Sequence, residues 1–119
     1  MNIAPITKEE ATITVVAEPE HVPVEGNASG SGDDDFDREV EHGILSRLQQ
    51  DEVWAWAAVT VVVAWNGLEG TACLGCCSYA DEADFRQPDG YFDDLVNEAL
   101  DQLNQEAEFL YLRFKAREN

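Results

Sequence analysis

The sequence predicts an α+β fold: a small antiparallel sheet built on a long hairpin, with two helices packed on it. Three observations predict it. The run VWAWAAVTVVVAW (Val53–Trp65) is β-branched, aromatic or small throughout and reads as a long strand. An Asn-Gly turn signal follows it at once. Two further stretches carry apolar residues at intervals of three and four, the helical period.

From the N-terminus, Thr12 to Ala17 (TITVVA) alternates and reads as a strand. Pro19 and Pro23 limit pairing beyond it, so the next residues read as an extended edge or a loop. Gly26 to Gly32 (GNASGSG) has linker composition. This divides the chain into an N-terminal strand and flexible acidic arm over residues 1–32 and a single α+β domain over 33–119. The first helix starts inside an acid run, with Asp34 or Asp35 as its cap and Phe36, Val40, Ile44, Leu45 and Leu48 as its core face. In Val53–Trp65 both faces are apolar, which predicts a central strand covered on both sides. Asn66 to Gly70 (NGLEG) reads as a turn and Thr71 to Tyr79 as the returning strand, with Gly75 a candidate bulge. Asp81 to Gln87 suits one helical turn, and Pro88 to Gly90 a turn. The last helix has its apolar face at Phe92, Leu95, Val96, Ala99, Leu100, Leu103, Ala107, Leu110 and Tyr111.

Charge is the strongest signal for function. The 119 residues hold 25 acids and 7 bases, a formal net charge of −18. Three of the bases, Arg113, Lys115 and Arg117, sit at the C-terminal end. Such a field repels nucleic acid and anionic lipid and attracts basic protein surfaces. Neither direct nucleic-acid binding nor a membrane association is expected. The longest apolar run is shorter than the ~20 residues of a spanning helix. The opening MNIAPITKEE has no apolar signal core, so a cytoplasmic protein is expected.

Motifs for chemistry are sparse. Cys73, Cys76 and Cys77 contain a Cys-x2-Cys spacing, half of a zinc site, but no second ligand pair accompanies it. The preferred reading is buried small apolar side chains in a strand. Asp33, Asp35 and Asp37 fit the first three positions of a calcium loop, which then fails at Arg38 and Ile44, where glycine and glutamate are required. No nucleophile and base are framed by a local signature, and no phosphate-cradling loop is present. No enzyme activity, cofactor or metal is expected.

The candidate partner-binding residues are therefore acids and tryptophans. Asp33, Asp34, Asp35, Asp37, Glu39 and Glu41 form one acidic cluster. Asp94, Glu98, Asp101 and Glu108 form a row along the last helix, at the repeat of one helix face. Asp81, Glu82, Asp84 and Asp89 form a third group. Trp54 and Trp56 share a face near the start of the strand, and they serve either the core or an exposed interface anchor.

Residues Trp56 to Asn104, through GLEG, LGCCSY, DEADF and GYFDDLVNEAL, resemble small uncharacterised proteins encoded by phages and other mobile elements. The resemblance covers under half of the chain and implies a phage or plasmid context, with the host cytoplasm as the location. Small acidic proteins of such elements, by analogy of size and composition, imitate DNA and block restriction or CRISPR machinery. The expectation is a non-enzymatic inhibitor that occupies the basic groove of a host nucleic-acid-binding protein. The alternative is a structural or regulatory interaction module, homodimeric, whose acids serve only solubility.

Overall fold

The computed structural model describes residues 4–117; residues 1–3 of the expected arm and 118–119 of the expected domain lie outside it. The fold is α+β. Its elements are β1 (Thr12–Pro19), α1 (Asp34–Leu48), a 3-10 turn (Val53–Ala55), β2 (Ala57–Trp65), β3 (Leu68–Cys77), α2 (Glu82–Phe85) and α3 (Tyr91–Arg117). The strands form one antiparallel sheet in the order β1-β2-β3.

The hairpin is tighter than the sequence predicts. Asn66 and Gly67 have φ of 51° and 86°, and Trp65 pairs directly with Leu68. Two left-handed residues match the twist of the flanking strands, so Asn-Gly alone makes the turn. Gly70, read as part of the turn, has another role. A Cβ there would strike the Ala99 carbonyl and approach the Leu103 nitrogen to 2.8 Å, so its absence lets α3 lie against β3.

One face of the sheet is closed. Ala57, Val59, Val61 and Val63 of β2 are fully buried and meet Leu95, Val96, Ala99 and Leu103 of α3. Alternation sends Ala58, Thr60, Val62 and Ala64 to the opposite face, where they are half-buried. With the exposed Thr12, Thr14 and Val16 of β1 and Thr71 and Cys73 of β3, they make an open sheet face. β2 is central, as predicted, but it is not covered on both sides.

α1, expected to pack on the sheet, does not cover this face. It stands at the end of the sheet instead. Val40, Ile44 and Leu48 pack with Val24, Ala28, Ala55 and Trp56 in a second, smaller cluster. Arg47 Nη2 donates to the Tyr79 carbonyl at 2.8 Å and ties the C-terminal end of α1 to the chain after β3. Phe36 and Leu45, both assigned to the core face, are 51% and 40% exposed because they flank the stripe on opposite sides.

The expected division between residues 32 and 33 cuts through packed structure. β1 pairs with β2 along its whole length. Before β1, Asn104 of α3 accepts from the Ile6 amide at 2.7 Å and donates to its carbonyl at 3.0 Å, and Ile6 joins the main core. After β1, Val24 is buried in the α1 cluster. Among the described residues, no helix is long and apolar enough to cross a membrane.

Candidate partner-binding surface

The acid run divides between carboxylates that build local structure and carboxylates that do not. The cap of α1 is Asp33, not Asp34 or Asp35: its carboxylate accepts from the Asp35 and Phe36 amides at 3.1 and 3.2 Å. Asp37 Oδ1 accepts from Ser29 Oγ at 2.6 Å, Ser31 Oγ at 2.8 Å and the Ser31 amide at 3.2 Å. These donors, Ser29 first, hold the Asp37 carboxyl below the ordinary aspartate range. Glu41 accepts from the Gly26 amide at 3.1 Å. Asp37 and Glu41 thus fasten the GNASGSG segment to α1. Asp34, Asp35 and Glu39 are exposed, and their carboxylates have no hydrogen-bond or ion-pair partner among the described residues.

Three members of the third acidic group, Asp81, Glu82 and Asp84, are also structural. Asp81 caps α2 by accepting from the Asp84 amide at 2.8 Å, Asp84 accepts from the Ala80 amide at 2.9 Å, and Glu82 pairs with Arg86 at 3.0 Å. The row on α3 differs. Asp94, Glu98, Asp101 and Glu108 are all exposed, lie opposite the buried stripe of the helix and are unpartnered among the described residues. They extend over about 21 Å of helix axis. A DNA strand carries one charge per ~3.4 Å, about six over that length. The α3 row supplies about two-thirds of one strand's charge, and only about a third of a duplex's.

The two tryptophans do not share a face. The 3-10 turn interrupts the strand period, so Trp54 and Trp56 enter different clusters. Trp56 is 3% exposed, and its indole N–H donates to the Val22 carbonyl at 2.6 Å. It is a core residue, which removes it as a surface anchor. Trp54 is half-buried, with ring centroids 5.6 Å from Phe85 and 6.4 Å from Tyr79. Phe85, not singled out in the sequence, is the hub of this group: it is 1% exposed and also meets Tyr79 and Phe92. Its only signal was an aromatic in the acidic segment DEADF.

The cysteines, expected to be buried together, are separated by the bulge: Cys77 is buried, whereas Cys73 and Cys76 are exposed. Ala57 faces Cys77 and Val59 faces Leu74, so Gly75 and Cys76 together oppose Ala58. Cys76 takes a φ of 55°, and its amide donates to Glu20 Oε2 at 2.9 Å. That bond, with a second from the Val22 amide, holds the Glu20 carboxyl below its ordinary value. The extra residue places Cys77 in the core, while Cys73 lies on the open face beside the Thr60 hydroxyl at 3.4 Å. Burial pushes the Cys77 thiol up to about 11, so it is protonated and unreactive near neutral pH. No group of three or more His, Cys, Asp or Glu residues suited to a metal ion occurs among the described residues. A shallow cleft of about 400 Å³ opens beside the bulge, between Ala28, Trp56, Tyr79 and Tyr91. It brings the loop before α1 and the start of α3 to the same end of the molecule.

No family model, no curated protein and no solved structure matches this chain.

Proposed function

We propose that this protein is a small acidic inhibitor of phage or mobile-element type, a nucleic-acid mimic that blocks a host nucleic-acid-binding defence protein of the restriction or CRISPR kind. The observation that carries the reading is the row Asp94, Glu98, Asp101 and Glu108. It is exposed, unpartnered and mounted on a helix anchored to the sheet by Leu95, Val96, Ala99 and Leu103. A rigid row of charges loses little entropy on meeting a basic groove. Its charge density supports imitation of one phosphodiester strand rather than a duplex. Asp34, Asp35 and Glu39 add charge from α1, whereas Asp33, Asp37 and Glu41 are engaged within the fold.

The reading is tested by competition. Purified protein is added to restriction and CRISPR effector complexes holding a labelled nucleic acid, and displacement is followed against salt. The mimic displaces the nucleic acid, and the effect weakens steeply as salt rises. The variant Asp94→Asn/Glu98→Gln/Asp101→Asn/Glu108→Gln loses the effect, while an Asp33→Asn control keeps it. Equal displacement by the neutralised variant, or none by the native protein across the panel, rejects the reading.

A further inference from the structure

We infer that the C-terminal end of α3 is a self-association element, on which a second copy of this chain docks antiparallel. This is independent of what the acidic row binds. The buried stripe of α3 runs through Val96, Ala99 and Leu103 and then continues at the same helical spacing through Ala107, Leu110 and Phe114. The sheet does not continue with it. Along the stripe, exposure rises from 0% at Leu103 to 68% at Phe114. Phe109 and Leu112, 57% and 56% exposed, lie away from this stripe on the side of the acidic row and are not part of it. A groove of about 230 Å³ lies along this end, lined by Leu110, Arg113, Phe114 and Arg117. Helical ends this apolar are ordinarily covered.

Charge identifies the occupant. Two molecules of net charge −18 repel over most of their surfaces. Residues 106–117 are the exception, with Glu106 and Glu108 at one end and Arg113, Lys115 and Arg117 at the other. The segment is close to neutral and polarised along its axis. Two copies side by side in parallel would set Arg113 against Arg113. Antiparallel about a point between Phe109 and Leu110, they set Glu106 of each copy opposite Arg113 of the other, with the Leu110 and Phe114 side chains beside them. The arrangement is two-fold symmetric, so every favourable pair occurs twice. Anionic lipid and nucleic acid are repelled by the rest of the molecule, and a basic protein would meet Arg113 and Arg117 with like charge.

The test is sedimentation equilibrium on the full chain, up to about 0.5 mM because a helical end this short buries less than a standard interface. A dimer is expected. Phe114→Glu, with Leu110→Glu as an independent second variant, is expected to be monomeric, with helix content by circular dichroism unchanged. Arg113→Glu weakens the dimer by about tenfold, since two ion pairs become two repulsions, and Glu106→Arg/Arg113→Glu restores it. A native protein that stays monomeric overturns the proposal. So does a dimer that survives Phe114→Glu and Leu110→Glu, which would place the contact on the open sheet face. Failure of the charge swap to restore association overturns the antiparallel register.

Discussion

Asp37 shows how much one carboxylate does in a run that looks redundant. It binds three donors from Ser29 and Ser31 and thereby holds a glycine-rich segment against α1. Its folded pKa is depressed, so its contribution is complete above the unfolded value and is lost as pH falls through the folded one. Between about pH 5 and pH 2 the native protein should therefore lose more stability than Asp37→Asn does. Urea unfolding across that range checks it, and parallel pH profiles would contradict it. Composition exposed the run but not this division of labour. Asp33, Asp37 and Glu41 differ from Asp34, Asp35 and Glu39 only in which amides and hydroxyls the folded chain brings to them. Those donors come from residues 26–36, so part of the answer was local: the cap lies one or two residues before the acids that the pattern suggests, and the linker-like loop is tied to the helix.

At the scale of elements, the contact between α3 and β3 governs the fold. Gly70 is the point of closest approach, and any side chain there meets helix backbone, not a movable side-chain tip. Gly70→Ala should destabilise the protein by about 2 kcal/mol or more, in the range of overpacked cores. Phe36→Ala, at a position the sequence pattern assigned to a core, should change stability by no more than about 0.5 kcal/mol. Chemical denaturation of the two variants checks both. α3 was legible because its stripe persists over many turns and its partner strand is apolar at every closed-face position. α1 was half legible: its helical period and position were clear. That it packs on Val24 and Trp56 rather than on the sheet was not, because amphipathicity specifies that a face is buried and not what buries it.

For the whole molecule, repulsion is the dominant electrostatic fact. Among the described residues two ion pairs lie within 4 Å, Arg47–Glu52 and Arg86–Glu82, in a chain of net charge −18. Screening therefore relieves more repulsion than it removes attraction. Added monovalent salt, to about 0.5 M, should raise Tm, whereas it should weaken any complex with a basic partner. Calorimetry in a salt series checks the first; a falling Tm would mean that attractive pairs outweigh the repulsion. The opposite signs separate stability from binding in a single titration.

By itself the sequence determined the α+β class, the Asn-Gly hairpin, the central strand, the bulge at Gly75 and the long final helix. Each of these is written in local period or local turn chemistry. Only the tertiary structure decided that Trp54 and Trp56 part company, that Gly70 serves a helix rather than a turn, that one sheet face stays open, and which carboxylates remain without partners. These depend on contacts between residues far apart in the chain, such as Trp56 with Val22 and Gly70 with Ala99. Charge and hydrophobic period are sums over neighbours in sequence, and a surface is made of neighbours in space.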